Sequence, residues 1–184
     1  KISRGSSTEI YLSEEISSNK LFIIKKIKIV NIAKIIREVN THSICKKIKN
    51  VINIIDIYKD KKNYYLQLPY INCKKTRLQY MNYNKTNIKK FMFDLLTCLN
   101  NIHNLGIIHR DIKPSNILIG KNYKLNLIDF GVSDFYIPYR DFSGNIGTKN
   151  FKSPEQLVQI NGFDYKVDIW AVGLIFGEMI FNKL

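Results

Sequence analysis

The chain has 184 residues, 45% of them hydrophobic and 24% charged, with a formal net charge of +14. That length and balance suit one domain or two small lobes around a sizeable core and exclude an intrinsically disordered or collagen-like chain. Only five of the 29 basic residues are arginines, so the charge reads first as compositional bias on a solvated surface, with a nucleic-acid or acidic-partner surface as the competing reading. Up to Tyr70 the apolar residues are β-branched or aromatic and come in short runs, which predicts strands over 9–12, 21–28, 52–58 and 64–68. Between the second and third runs, Ile32, Ile35, Ile36 and Val39 recur at helical spacing and predict a helix over 32–44. Beyond Tyr70 the texture becomes helical. Ile88, Phe91, Met92, Leu95, Leu99 and Ile102 form one stripe, which Gly106 ends. Two short strands are expected at 116–119 and 124–128, an irregular stretch at 131–153, and a last apolar helix at about 167–181.

That last helix carries Glu178 and its apolar run is shorter than the ~20 residues of a membrane span, so no membrane partner is expected. Cys45, Cys73 and Cys98 are widely spaced, without a CxxC pair. They read as reduced thiols of an intracellular protein rather than a disulfide framework or zinc site. The first residue is not Met, and the native N-terminus is expected upstream.

The chemistry concentrates in His109-Arg110-Asp111-Ile112-Lys113-Pro114-Ser115-Asn116 and in Asp129-Phe130-Gly131. Phosphoryl transfer needs a carboxylate to orient the attacking hydroxyl, a cation on the γ-phosphate and oxygen ligands for a divalent ion. Asp111, Lys113, Asn116 and Asp129 supply these types, and hard oxygen donors favour Mg²⁺ over zinc.

With these residues in view, the sequence resembles a eukaryotic protein kinase catalytic domain. The H-R-D-x-x-x-x-N and D-F-G signatures are complete. Ser153-Pro154-Glu155 stands for A-P-E, and Asp168-Ile169-Trp170-Ala171-Val172-Gly173 matches the opening of the family's long central helix. The resemblance implies an α+β, bilobal fold: a mainly-β lobe over 1–70, and a mainly-α lobe over 71–184 that is incomplete because the family's last helices would follow Leu184. It implies ATP and Mg²⁺, with Asp111 as catalytic base beside Lys113, Asn116 and Thr148. Mg²⁺ would sit on Asn116 and Asp129, and Lys25 would pair with Glu38 and reach the α/β-phosphates. The glycine-rich loop corresponds to Ser3, Arg4, Gly5, Ser6, Ser7, Thr8, Glu9 and Ile10, of which only Gly5 keeps the family's glycine pattern. Adenine would lie between Ile2, Ile10 and Ile23 above and Leu118 and Ile128 below, against the backbone of Leu68, Pro69, Tyr70 and Ile71. His109 and Phe130 would stack with His42 to align the lobes.

Lys113 and Gly147-Thr148 resemble Ser/Thr rather than Tyr kinases. The hinge Leu68-Pro69-Tyr70-Ile71 and the segment 147–155 are similar to the cell-division-cycle-seven replication kinase, which suggests cell-cycle or replication control in the nucleus or cytoplasm. Asp134-Phe135-Tyr136-Ile137-Pro138 and Met179-Ile180-Phe181-Asn182-Lys183 are similar to the casein kinase II catalytic subunit. Both families phosphorylate Ser/Thr beside acidic residues, so Lys149 and Lys152 are the expected substrate-binding cations. Asn145 replaces a further basic residue of casein kinase II and should soften the preference. A regulatory subunit is a partner the resemblance admits. Two rivals of other classes stand beside this reading. A pseudokinase or docking module is suggested by the degraded glycine loop, against the intact Lys25, Asp111, Asn116 and Asp129. A nucleic-acid binder is suggested by the charge alone, without a basic stripe interleaved with aromatics; no direct nucleic-acid contact is expected.

Overall fold

Side-chain alternation organises the first part of the chain. The computed structural model describes residues 1–4, 8–30, 32–73, 84–138, 146–158 and 162–181. β1 (Ser3–Arg4), β2 (Thr8–Glu14), β3 (Leu21–Lys28), β4 (Asp56–Lys59) and β5 (Asn63–Pro69) form one sheet in the order β1-β2-β3-β5-β4, with every pairing antiparallel. In β3, Ile23, Lys25 and Ile27 point to the cleft below the sheet, while Lys26 points to the opposite face, where it meets Glu9 and the Tyr65 ring. Helix α1 (Ile32–Ile44) packs its buried residues Ile35, Glu38, Thr41 and His42 inward.

The run 52–58 is only half strand. Val51 and Ile52 are buried, but they dock on the second part of the chain: Ile52 N–H donates to the Leu127 carbonyl at 3.0 Å, and Leu127 N–H to that of Asn50 at 2.7 Å. The strand begins only at Asp56. Apolar, β-branched residues here reflect burial against a neighbour rather than sheet pairing, a distinction periodicity cannot make.

The remainder is led by helices. α2 (Lys85–His103) starts where the Asn84 side chain accepts the Asn87 N–H at 2.8 Å. It buries Phe91, Leu95, Cys98, Leu99 and Ile102 against α4 (Lys166–Phe181) and the hairpin of β7 (Ile117–Ile119) and β8 (Leu125–Leu127). β6 (Ile107–Ile108) pairs with β9 (Asp134–Phe135), and the short α3 (Pro154–Leu157) is opened by a Ser153–Gln156 capping box. Each fully buried Leu, Ile or Phe of this core contributes about 1.5–3 kcal/mol of transfer free energy. That core holds two loops, 109–116 and 129–133, at the floor of the cleft under the sheet. The architecture is the expected α+β one, with a mainly-β sheet lobe and a helical part. Among the described residues, no helix is long and apolar enough to cross a membrane.

Candidate active site

The loop 109–116 is shaped by one buried carboxylate. Asp168, in the first turn of α4 and 1% exposed, accepts the backbone N–H of His109 at 2.9 Å and of Arg110 at 2.8 Å. The His103 ring binds the same carboxylate at 2.9 Å. A buried acid is stable only with such partners, and here they turn the chain so that Arg110 takes a left-handed φ of 66°. Next along, the Asp111 N–H donates to His109 Nδ1 at 3.3 Å while His109 Nε2 meets the Ile128 carbonyl at 3.3 Å. These partners put the His109 proton on Nε2 and keep the ring neutral. Burial agrees, since it pushes the His109 pKa down despite the nearby Asp168, Asp129 and Asp111 carboxylates.

Asp111 lines a small recess with its carboxylate held on both oxygens. Oδ1 accepts from the Thr148 N–H at 3.0 Å and hydroxyl at 2.8 Å; Oδ2 accepts from the Asn116 amide at 3.0 Å and pairs with Lys113 Nζ at 2.7 Å. Lys113 also donates to the Thr148 hydroxyl at 2.7 Å. Gly147 makes this approach feasible. Its φ is 92°, and a Cβ there would lie 2.6 Å from the Arg110 carbonyl oxygen.

The other half of the site hangs from the sheet. Lys25, 7% exposed, bonds Glu38 of α1 at 2.5 Å and Asp129 at 2.7 Å. Burial pulls the Lys25 pKa down, but the two carboxylates outweigh it and hold the ammonium above its usual range. Burial acts upward on Asp129, yet Lys25 and the Gly131 N–H overcome it, and its pKa falls to about 2. Asp129 is itself left-handed at φ 66°. Gly131 is crowded from two sides: a Cβ would meet Asp129 Oδ1 at 3.1 Å and Glu38 Oε2 at 3.3 Å. Behind them Phe130, fully buried, stacks on His42 and on His109, each at 5.0 Å between ring centroids.

A cavity of about 1040 Å³ runs between the two halves. Of the expected nucleotide-binding residues, Ile2, Ser3, Thr8, Ile10, Ile23, Lys25, Leu68, Pro69, Tyr70, Ile71, Leu118, Ile128 and Asp129 all line it. Glu9 does not. Its strand neighbour Ile10 points in, so Glu9 points out, where it meets Lys1, the Tyr11 hydroxyl at 3.0 Å and Lys26 at 3.9 Å. Gly5, Ser6, Ser7 and Asn145, together with Asn182 and Lys183, lie outside the described residues, as does the Arg4 side chain. Lys152 lines a small recess beside Asp111, whereas Lys149 is exposed on the neighbouring turn.

Mg²⁺ fits this donor set. Asp129 is ionised and faces the cavity, and the Asn116 amide nitrogen turns to the Asp111 carbonyl oxygen at 2.8 Å and to its carboxylate. Among the described residues nothing hydrogen-bonds the Asn116 amide oxygen, so both hard donors remain available on the cavity wall. Among the same residues no group of three His, Cys, Asp or Glu gathers as a softer metal site would require.

The family model described as the protein kinase domain matches residues 1–184. The chain belongs to the protein kinase family. The family transfers phosphate from ATP to proteins, commonly with Mg²⁺. In the sequence Asp168 and Arg110 stand out only as parts of motifs. The signal for Asp168 is an acid in the first turn of a mostly apolar helix.

Proposed function

We propose that this kinase transfers the γ-phosphate of ATP to Ser and Thr hydroxyls of proteins. The observation that supports it best is the ring formed by Asp111, Lys113, Asn116 and Thr148, of which Lys113 and Asn116 line the nucleotide-sized cavity. On this reading residues 1–70 and 71–184 are the two lobes, with adenine between Ile10 and Ile23 above and Leu118 and Ile128 below. Lys25, fixed by Glu38, binds the α/β-phosphates. Asp129 and the Asn116 amide oxygen would hold Mg²⁺, which when bound neutralises charge on the phosphates. Asp111 orients the incoming hydroxyl and takes its proton, with Lys113 supplying positive charge on the γ-phosphate side. The Thr148 hydroxyl, donating to Asp111 at 2.8 Å, marks where an aliphatic substrate hydroxyl would reach the same carboxylate.

We read the substrate segment as acidic. Lys149 and Lys152 flank the turn that follows Thr148, and each offers a cation near the Asp111 end of the cleft. The free thiols of Cys45, Cys73 and Cys98 support an intracellular setting, nuclear or cytoplasmic. A cell-cycle or replication role follows the resemblance to the replication kinase, and a casein kinase II-like role is the second reading. The test is transfer from labelled ATP with Mg²⁺ to acidic peptides that differ only in carrying Ser, Thr or Tyr. Label on Ser and Thr is expected; label on Tyr alone, or none with ATP bound, would overturn the proposal.

A further inference from the structure

Asp134 opens β9 and is 5% exposed. A carboxylate so buried needs cationic or hydrogen-bonding partners. Two guanidiniums converge on its Oδ2: Arg110 of the catalytic loop at 3.4 Å and Arg37 of α1 at 3.3 Å. Its Oδ1 accepts the Phe135 N–H at 3.0 Å. Arg110 also grips the preceding residues, donating from Nε to the Val132 carbonyl at 2.7 Å and from Nη2 to that of Ser133 at 3.4 Å.

Arg37 directly precedes Glu38, the partner of Lys25. One turn further, the Ser133 hydroxyl donates to Thr41 at 3.3 Å, and His42 meets the Phe130 ring. Helix α1 therefore touches the segment after Asp129 along its length. The link through Asp134 is ionic and continues to the loop 109–116.

We propose that Asp134 is a positioning residue for phosphoryl transfer. By holding Arg110 and Arg37 on one oxygen, it fixes α1 against the catalytic loop and so keeps Glu38 on Lys25. Without its charge, the carboxylate that draws the Arg110 and Arg37 guanidiniums to one point is gone and their like charges repel. The less buried partner, Arg37, and α1 with it, is the element free to move away. The inference rests on the reading of Lys25 and Asp111 given above.

The experiment compares wild type with Asp134→Asn, Asp134→Glu and Arg37→Gln in the full chain. It reads kcat and KM for ATP, together with amide hydrogen exchange of α1 and of α2. Asp134→Asn should lower kcat about 10- to 100-fold with KM for ATP within about threefold, as expected for misplacement of bound groups. Exchange over 32–44 should accelerate about tenfold or more while α2 is unchanged, since only one cooperative unit is released. Asp134→Glu should restore most of both. Arg37→Gln alters a side chain that is 36% exposed, and should give a weaker loss of the same kind; it decides the matter alone if Asp134→Asn does not fold. Unchanged α1 exchange in the charge-removing variants that fold, or kcat within about twofold of wild type in them, would overturn the proposal. Wild type without transfer would overturn the catalytic reading instead, and the exchange comparison would still decide the role of Asp134.

Discussion

The two halves of the site are held by different kinds of force. The loop 109–116 is carried mainly by hydrogen bonds, with the Asp168 side chain of α4 taking two of its main-chain N–H groups and Asp111 bound by Lys113, Asn116 and Thr148. The half above it is carried by ion pairs between distant residues: Lys25 reaches 13 residues to Glu38 and 104 residues to Asp129. The first arrangement stays on one side of the cleft, although its bonds to Asp168 and Thr148 cross 58 or 59 and 37 residues of chain. The second spans the cleft and depends on where α1 sits. On the proposed reading transfer needs both, and they should fail differently when broken. Asp111→Asn tests the hydrogen-bonded half. The amide keeps the size and much of the hydrogen bonding, so the loop and ATP affinity should survive. Transfer should fall about 10²- to 10⁴-fold, as for loss of a general base. Single-turnover rates beside nucleotide titration separate the two, and undiminished turnover would remove Asp111 from its role.

Lys25→Met should break the spanning half in a way the first substitution does not. It leaves Glu38, with a side chain 6% exposed, as a buried carboxylate without its counter-ion. Removing one partner of a buried pair costs about 3–5 kcal/mol, so stability should drop together with ATP affinity and rate. Urea unfolding of Lys25→Met and Asp111→Asn makes the contrast direct: a large shift in midpoint for the first and a small one for the second. Equal shifts would mean that the halves are not held differently.

Adjacency in the chain decides what is legible in the sequence. The motifs 109–116 and 129–131 stand out because their residues are consecutive, whereas the bonds from Asp168 and Thr148 that hold the first of them do not. Strand 21–28 and helix 32–44 were legible for the same local reason, and both match β3 and α1 in full. Asp134 was not legible as a link, because its partners Arg37 and Arg110 are far away in the chain and two arginines among many cations give no pattern. The run 52–58 misled because burial against β8 and burial within a sheet select the same residues. Glu9 could have been placed correctly: with Ile10 facing the cleft, the period of two in a strand sends its neighbour outward.

Phe130 joins the halves, and its two histidine neighbours give the joint a pH signature. Burial, reinforced by the Lys25 charge, lowers the His42 pKa from 6.5 to about 4, and burial lowers that of His109 as well. A depressed histidine means that the unfolded chain binds more protons than the folded one below pH 6.5. His42 therefore lends its full stabilisation above about pH 6.5, and this is lost as pH falls to about 4, by about 3 kcal/mol in total. Asp129 acts in a separate window. Its pKa is depressed from 3.8 to about 2, so its contribution is lost only as pH falls below 3.8. Denaturant unfolding at pH 7.5, 6 and 4.5 should show the decline, and His42→Gln should flatten it over that range. A slope unchanged in the variant would show that His42 is not held neutral at the joint.

The smallest expected effect concerns the rim rather than either half. Lys149 and Lys152 follow Thr148, on the side where a substrate segment would run past Asp111. Lys149 is exposed and Lys152 only partly covered, so water and salt screen both. Each should add on the order of 0.5–2 kcal/mol toward a substrate carboxylate, expressed in KM for the peptide rather than in kcat. That pattern is the reverse of Asp111→Asn, which leaves binding and removes the chemical step. A peptide array with acidic, neutral and basic residues after the target Ser, run at low and high salt, measures it. Wild type should favour acidic positions, less so at high salt, and the Lys149→Ala/Lys152→Ala double variant should lose most of the bias. The alternative, that both lysines reflect composition and face only solvent, predicts the same bias in the double variant as in wild type, and that result would detach the rim from substrate choice.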